Sequence, residues 1–318
     1  MLLTILIPFY NEEEVIDKTH QVLSQEVDKL DPVQVELLYV NDGSRDQTLA
    51  KMRKIAQSDS RVRYISFSRN FGKEAAMLAG LEHARGDAVI IMDGDLQNPP
   101  HLIPKMLAKY QEGYDLVNGK RTREGDDMKT SFFAQMFYKV ANNVMDVTLT
   151  DGISDFRLLS RRAVDALVSL QEYNRFSKGL FSWIGFKSTT IEYDNVLREA
   201  GETKFNFKKS MNYAIDGILS FNDKPLRLVF NLGLCCILIG GLYLFWLLIS
   251  YIMNPETAVD GYFTTIFTVV LFGGVQLVSL GVLGEYIGKI FYEVKHRPHY
   301  LISESNLKEE VEHLEPKA

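Results

Sequence analysis

Two long apolar runs near the carboxyl end restrict the fold of this chain more than any other feature. Residues 228–255 contain no charged side chain, and neither do residues 261–284. As a helix rising about 1.5 Å per residue, either run is long enough to cross a hydrocarbon layer about 30 Å thick. A buried helical hairpin in a soluble core is the alternative. The mean hydropathy of −0.06 hides both runs, because the preceding residues are charged and mixed.

Charges that flank the two runs predict how the hairpin is oriented. The link between them, residues 254–261, contains Glu256 and Asp260 but neither Lys nor Arg. Because Lys and Arg concentrate in cytoplasmic loops, we expect both termini in the cytoplasm and the link outside the plasma membrane. The cationic residues on the cytoplasmic side are Lys208, Lys209, Lys224, Arg227, Lys289, Lys295 and Arg297.

The chain therefore divides into four predicted parts. Residues 1–203 form a cytosolic α/β domain, and residues 227–290 hold two membrane helices at about 228–253 and 262–284. Between these parts, residues 204–226 mix apolar and Lys side chains, which favours an amphipathic helix on the lipid headgroups over a solvated linker helix. Residues 291–318 are interpreted as a cytosolic tail, whose acidic part after Pro298 is either a solvated helix or disordered.

The net charge of the chain narrows the choice of partners. The sequence has 41 Asp and Glu against 35 Lys and Arg, a formal net charge of −6. This acidic balance argues against nucleic acid as a partner. The apolar start, residues 1–9, is short and lacks a basic region, so no signal peptide is expected.

Short apolar runs alternate with helical segments in the first part of the chain. Strands are predicted at residues 2–9, 35–40, 62–67 and 88–92, with helices between them. The first helix is predicted to run to about Leu30, with Asn11 as its cap. Continuous apolar strands separated by helices indicate a mostly parallel sheet covered on both faces.

Polar residues follow each of these four strands. In such sheets ligands bind beyond the carboxyl ends of the strands, so these loops are the first candidates for chemistry. One such loop is usually structural, but four at the same edge indicate a site. No P-loop or GxGxxG pattern is present. The loop residues are Asn11 and Glu12, Asp42 to Ser44, Arg69 to Gly72, and Asp93, Asp95 and Gln97.

Asp93 and Asp95 are the strongest candidates for a metal site. They lie two residues apart after a strand, a spacing that can direct both carboxylates to one side. Paired carboxylates suit Mg²⁺ or Mn²⁺, especially when a substrate diphosphate completes the coordination shell. The alternative is a turn stabilised by an Asp side chain, in which Gly94 supplies an unusual backbone angle.

Taken together, the motifs resemble those of a known family. They are similar to the family 2 glycosyltransferases with a GT-A fold, and most similar to the polyprenyl-phosphate branch. That branch includes bactoprenol glucosyltransferases and dolichol-phosphate mannose synthases. With the C-terminal hairpin, the resemblance covers nearly the whole chain. The motifs are PFYNE at 8–12, NDGS at 41–44, RNFGK at 69–73, DGDLQ at 93–97, SDFRLL at 154–159 and REAGETKF at 198–205.

The resemblance implies roles for particular residues. Asp93 and Asp95 would bind the metal, Gln97 would lie beside the sugar phosphate, and Asp155 occupies the position of a catalytic carboxylate. An ion pair with Arg157 is the structural alternative for Asp155. Asn41 departs from the family, in which Asp is frequent there. The nucleotide-sugar would contact Pro8, Tyr10, Glu12, Asp42, Lys73 and Asp93, and the diphosphate and acceptor phosphate would contact Arg121, Arg123, Arg198 and Lys204.

The implied reaction moves one sugar from a nucleotide-sugar to undecaprenyl or another polyprenyl phosphate, with inversion. UDP-glucose is the expected donor, and UDP-N-acetylhexosamine and GDP-mannose are the alternatives. The resemblance also implies a homo-oligomer, with tetramers among the forms known for the family. A processive synthase is less consistent, because neither Trp183 nor Trp246 follows an Arg as in the Gln-x-x-Arg-Trp motif. A catalytically silent membrane scaffold that binds nucleotide-sugars is the alternative from another class.

Overall fold

The structure is a computed structural model. It describes residues 1–122, 142, 150, 152–194, 222, 224–253 and 261–307. Three of the expected phosphate-binding residues, Arg123, Arg198 and Lys204, lie outside these described residues. So does most of the expected juxtamembrane segment.

The predicted alternation of strands and helices is confirmed in the first 91 residues. Each predicted strand is present, with bounds that differ from the expected ones by at most one residue. The elements are β1 (Leu2–Phe9), α1 (Ile16–Val27), β2 (Gln34–Asn41), α2 (Thr48–Ser58), β3 (Val62–Phe67), α3 (Lys73–His83) and β4 (Ala88–Ile91).

The remaining elements complete the domain and add the hairpin. A single turn of 3₁₀ helix, Pro100–Leu102, leads into α4 (Ile103–Gln111). The others are β5 (Leu116–Arg121), β6 (Ile153–Ser160), α5 (Arg161–Ser169), α6 (Ser177–Trp183), β7 (Ser188–Tyr193), α7 (Lys224–Met253), α8 (Tyr262–Val294) and β8 (Ile302–Ser305).

Eight strands form one sheet in the order β7-β5-β6-β4-β1-β2-β3-β8. In the centre of the sheet, the strands β1 to β4 run parallel to one another, and β5 is parallel to β7. Among the described strands, β6 and β8 run antiparallel to their neighbours. The amino-terminal half of β6 therefore lies at the same edge as the carboxyl ends of β1 to β4. This mostly parallel sheet is the expected fold class.

Apolar side chains cover both faces of the sheet, as continuous apolar strands predict. On β1, Leu3, Ile5 and Ile7 belong to one buried cluster, which also contains residues of α1 and α4. Leu6 belongs to a second cluster on the opposite face, with residues of α3, α5 and α6. The period-two alternation of a strand separates the two sets.

The predicted start of the first helix is wrong. Asn11 does not cap α1, which begins at Ile16 after Val15. Asn11 has a left-handed backbone (φ of 52°), and its Oδ1 accepts a hydrogen bond from the backbone N–H of Arg45 at 2.9 Å. The same side chain cannot cap a helix and join the loop after β2, and here it joins the loop.

The two C-terminal helices leave their apolar side chains exposed. Both α7 and α8 are long and apolar enough to cross a membrane. Large side chains on both helices, such as Leu242 at 69% and Leu277 at 72%, are mostly accessible. This pattern contradicts the alternative of a hairpin buried in a soluble core. The second helix continues past the expected end at residue 284 to Val294.

The tail after α8 is neither a solvated helix nor disordered where the structure describes it. Residues Ile302–Ser305 form β8, which pairs antiparallel with β3 at the edge of the sheet. Glu304 accepts hydrogen bonds from Arg53 and from the hydroxyl of Tyr64. The chain that leaves the hairpin thus returns to the α/β domain and covers an otherwise open strand edge.

Candidate active site

Three charged side chains from different elements meet at the carboxyl edge of the sheet. Lys73 is the first residue of α3, Asp93 follows β4, and Asp155 lies near the start of β6. The Lys73 Nζ is 2.6 Å from Asp93 Oδ1 and 2.5 Å from Asp155 Oδ2. The structure therefore brings together three of the residues that the sequence singles out, and one ammonium group bridges two carboxylates.

The pKa values of the two acids shift in opposite directions, although the ammonium favours the charged form of both. Burial raises the pKa of Asp93, because the charge of Lys73 does not fully offset the loss of water. Burial also opposes ionisation of Asp155, but the charges of Lys73 and Lys178 outweigh it and lower the pKa of that carboxyl. We therefore expect Asp155 to be ionised throughout the physiological pH range.

Asp155 forms an ion pair with Lys73. Burial raises the pKa of Asp155, and the charge of Arg157, which the sequence offers as the structural alternative, is one of those that lower it. The Arg157 guanidinium donates to the Ser154 carbonyl at 2.8 Å and lies 3.7 Å from the centre of the Phe181 ring.

The loop that carries Asp93 and Asp95 is held from several sides. The Asp93 backbone N–H donates to Asn98 Oδ1, and Asp95 Oδ1 accepts from the backbone N–H of Gln97 at 3.1 Å. The expected Asp turn thus exists, but the left-handed residue is Leu96 (φ of 60°). Gly94 is required for a different reason, since a Cβ there would lie 2.5 Å from the Phe9 ring.

Asp42 is buried, with 3% of its surface exposed, and its carboxylate holds a neighbouring loop. It accepts hydrogen bonds from the backbone N–H groups of Phe71 at 2.7 Å and Gly72 at 3.0 Å. Burial raises the pKa of Asp42 although these two bonds favour its charged form. The loop it holds leads directly to Lys73, so Asp42 positions the start of α3.

The other expected nucleotide-contacting residues line the same edge. Pro8, Tyr10, Glu12 and Gln97 are each half-buried. The Glu12 backbone N–H donates to Thr48 Oγ1 at 2.9 Å, which joins the loops after β1 and β2. Arg121, at the end of β5, is also half-buried.

A cavity of about 260 Å³ lies on the same face of the sheet as Asp155. Its lining includes Arg157, Lys178 and Phe181, and also Asn118 of β5. Asn118 is 8% exposed, and its Oδ1 has no hydrogen-bond partner among the described residues. Two cationic groups and a buried acceptor give this cavity a polar, positively charged lining.

Sequence reasoning did not identify Lys178, Asn98 or Asn118. Lys178 is far from Asp155 along the chain, and its charge acts on that carboxylate because α6 packs on the sheet. Asn98 directly follows the Asp93-to-Gln97 motif, so its position after β4 was a usable signal. Asn118 lies inside a strand, where no local pattern distinguishes it.

Comparisons with known proteins agree with this architecture. Residues 4–168 match the model of glycosyl transferase family 2. Residues 224–290, which include most of α7 and α8, match the GtrB C-terminal hairpin.

Several curated relatives are similar over nearly the full chain. The putative glycosyltransferase CsbB of Bacillus subtilis is 49% identical over 96% of this chain and 92% of that protein. The bactoprenol glucosyl transferase of Shigella phage SfV is 42% identical over 97% of this chain and its whole length.

A solved structure gives a more distant likeness. Glucosyl-3-phosphoglycerate synthase from Mycobacterium tuberculosis, crystallised with Mn²⁺ and UDP-glucose, is 20% identical over 69% of this chain and 77% of that chain, with a TM-score of 0.44. A likeness at this level says nothing about substrate. The family model and the relatives of high identity, by contrast, show that the chain belongs to glycosyl transferase family 2 and carries a GtrB-type C-terminal hairpin.

Proposed function

We propose that the protein transfers a single glucose from UDP-glucose to undecaprenyl phosphate or a similar polyprenyl phosphate. The products are UDP and a polyprenyl-phosphate monosaccharide, formed with inversion. One observation carries this proposal: the Asp93–Lys73–Asp155 cluster at the sheet edge belongs to a chain that also carries a membrane hairpin. Bactoprenol glucosyl transferases, which are about 42% identical to this chain over nearly its whole length, support the lipid acceptor.

The donor would bind at the carboxyl edge of β1 to β4. Pro8, Tyr10, Glu12 and Asp42 are the proposed nucleoside contacts, Asp42 through the loop that it holds. Gln97 would lie beside the sugar phosphate. Lys73, which bridges Asp93 and Asp155, would also bring a positive charge close to the diphosphate.

The carboxylates of Asp93 and Asp95 fit a divalent cation. Hard oxygen ligands suit Mg²⁺ or Mn²⁺, and Asp93 already attracts a cation, the Lys73 ammonium. Within the described parts of the chain, no three His, Cys, Asp or Glu side chains form a metal cluster, so substrate oxygens would complete the shell. When bound, the ion would offset negative charge on the leaving diphosphate.

Asp155 is proposed to orient cations rather than to remove a proton. The acceptor phosphate, with a second pKa of about 6 for comparable monoesters, is largely ionised at neutral pH. It therefore needs no strong base. An ionised Asp155 holds Lys73, and its charge also attracts Lys178, so both ammonium groups stay close to where the two phosphates would meet.

The cavity beside Asp155 is the proposed place of the acceptor headgroup. Arg157 and Lys178, which line the cavity, would supply positive charge for a phosphate. Arg121 at the end of β5 is a further candidate. The roles of Arg123, Arg198 and Lys204 in binding phosphate remain predictions.

The proposal includes a location for the reaction. The two apolar helices would span the plasma membrane, with the catalytic domain and both termini in the cytoplasm, where nucleotide-sugars are made available. The amphipathic segment 204–226 would lie on the headgroups and bring the acceptor to the active edge. The homo-oligomer remains a prediction.

The test is a transfer assay with the purified full-length protein. Undecaprenyl phosphate and Mg²⁺ or Mn²⁺ are supplied with labelled UDP-glucose, UDP-N-acetylglucosamine or GDP-mannose in turn. We expect label in the organic phase with UDP-glucose alone. Label from another donor corrects the sugar, and no lipid product from any donor contradicts the proposed function.

A pair of variants tests the metal assignment. Asp95→Ala should lower the metal-dependent rate by about 100-fold or more, because one carboxylate ligand is lost. Asp165→Ala is the matched control, since Asp165 forms only a surface ion pair with Arg161. A full metal-dependent rate in Asp95→Ala contradicts the assignment.

A further inference from the structure

The chain that follows the membrane hairpin wraps around the catalytic domain. We call residues 292–306 the C-terminal strap. It begins in the last turn of α8 and ends beyond β8. The Tyr292 ring stacks on the Tyr173 ring, with centroids 5.5 Å apart and planes 6° apart. The neighbouring Glu293 Oε1 accepts hydrogen bonds from the backbone N–H groups of Tyr173 at 2.9 Å and Asn174 at 3.4 Å.

The loop that the strap holds leads directly into α6 and Lys178. Ser177, the first residue of α6, donates to the Glu74 carboxylate through both its backbone N–H and its hydroxyl. Glu74 is the neighbour of Lys73 in α3. Burial opposes ionisation of Asp155, whereas the charge of Lys73 and, to a smaller extent, that of Lys178 lower its pKa. One end of the strap is therefore connected to the active site through a short series of direct contacts.

A second part of the strap contacts the segment that leads from β3 to Lys73. The Tyr300 ring stacks on Phe67 with centroids 4.9 Å apart, and its hydroxyl donates a hydrogen bond to the Glu82 carboxylate of α3. The Leu301 carbonyl accepts from the backbone N–H of Ser68 at 2.9 Å. The loop that starts at Ser68 ends at Lys73.

The strap thus touches the chain just before each lysine that faces Asp155. Lys73 and Lys178 come from separate elements, and the charge of each favours the ionised form of Asp155. Charged groups of a reacting site must be held within about 0.5 Å of their productive positions. Loops alone hold such positions poorly, whereas a strap anchored on a long helix limits their movement.

We propose that the C-terminal strap is a positioning element of the active site, which makes sugar transfer depend on the contact between the second membrane helix and the loop at Tyr173. Tyr292 and Glu293 are positioning residues and touch no substrate. The consequence for the rate rests on the proposed transferase function, whereas the consequence for loop order does not. Seating of the hairpin and the geometry of the catalytic cations are thereby coupled.

The test uses Tyr173→Ala and Glu293→Ala in the full-length protein reconstituted in phospholipid vesicles. Misplacing catalytic groups by about 1 Å costs up to about 100-fold in rate, so we expect kcat to fall about 10- to 100-fold. The KM for the nucleotide-sugar and the affinity for UDP should change less than kcat does, because Pro8, Tyr10 and Glu12 lie outside the segments that the strap contacts.

Conservative variants separate positioning from a loss of folding. Glu293→Gln keeps an oxygen that accepts both backbone bonds, and Tyr173→Phe keeps the stacked ring, so both should retain most of the wild-type kcat. Ile290→Ala is the control on the same helix, since Ile290 is 59% exposed. Wild-type kcat in Tyr173→Ala and Glu293→Ala overturns the proposal. Equal losses of kcat, UDP affinity and thermal stability also overturn it.

Hydrogen exchange gives a readout that needs no substrate. Backbone amides of residues 68–73 and 173–178 should exchange faster in Tyr173→Ala and Glu293→Ala, and at the wild-type rate in Ile290→Ala. Unchanged exchange overturns the positioning role even where the wild-type protein transfers no sugar. A failure of the proposed function and a failure of this inference are therefore distinguishable.

Discussion

The catalytic domain and the hairpin use the same apolar side chains in opposite ways. Leu38 of β2 is fully buried between the sheet and α3, whereas Leu242 of α7 is 69% exposed. In water, the second arrangement would sacrifice most of the hydrophobic stabilisation that the first obtains. This exposure agrees with a membrane association of α7 and α8, and the mean composition of the whole chain does not separate the two regions.

Glycines show the same contrast. A Cβ added at Gly43 of the catalytic domain would lie 2.2 Å from the Arg69 backbone, and the φ of this residue is +61°. A Cβ at Gly241 or Gly273 of the hairpin would meet nothing within 4 Å. The domain is closely packed around its site, whereas the described residues of the hairpin touch each other at few points.

The largest expected difference concerns a buried leucine. Leu38→Ala should lower the free energy of unfolding of the catalytic domain by about 2–5 kcal/mol, because it removes packed atoms and leaves a cavity. Leu242→Ala should change it very little, because the side chain lies outside the domain. Denaturant unfolding, followed by a signal from the domain, measures both. Equal effects would break the comparison.

A charge placed in the middle of α7 comes next. Ile239→Lys should reduce recovery of the protein in the membrane fraction, since Lys at the centre of a membrane helix costs about 2.5–3.5 kcal/mol. Gln25→Lys, on the exposed side of α1, is the control and should leave recovery unchanged. Full membrane recovery of Ile239→Lys would show that this face of α7 does not meet lipid.

The glycine contrast predicts a smaller effect. Gly43→Ala should cost about 1–3 kcal/mol and lower the transfer rate, because the loop from Arg69 to Lys73 must move to admit the methyl group. Gly273→Ala should be neutral or slightly stabilising in a helix. Thermal unfolding and transfer assays measure both changes, and a neutral Gly43→Ala contradicts the close packing at this turn.

The smallest effect concerns the ion pair that fastens β8. Hydrogen bonds from Arg53 and Tyr64 lower the pKa of Glu304 to about 2, from an ordinary value of 4.5. The stabilisation is therefore fully present above about pH 4.5 and is lost as the pH falls towards 2.

Glu304→Gln should accordingly cost at most about 1 kcal/mol at neutral pH, because Glu304 is one-third exposed and its pair is partly screened. The difference from wild type should shrink below pH 4.5. Glu14→Gln, on an exposed residue, should show no such difference. Unfolding measured from pH 3 to 7 checks this, and a pH-independent difference contradicts the role of the Glu304 charge.

Much of the fold follows from local patterns. The bounds of β1 and β3 match the apolar runs, and the two charge-free runs predict α7 and α8. These features can be predicted locally, because the spacing of apolar residues and the length of each apolar run determine them. Asp93 and Asp155 could also be identified from the sequence as site residues, because their motifs resemble those of the family.

Other features depend on distant contacts and could not be predicted. The helix α1 begins at Ile16, later than predicted, because the Asn11 side chain accepts a hydrogen bond from the loop after β2 and does not cap the helix. The strand β8 has only four residues, and it forms because the edge of β3 is available to pair with it. The approach of Lys178 to Asp155 depends on the packing of α6, and no sequence pattern records that packing.

The most direct test of the account offers two acceptors at once. Full-length protein in a phospholipid bilayer receives labelled UDP-glucose, a divalent metal, undecaprenyl phosphate and a water-soluble phosphate monoester. If a family 2 active site works with a membrane hairpin as proposed, nearly all transferred label will enter the organic phase. Transfer of label to the soluble monoester, with the lipid left unlabelled, would contradict the central claim.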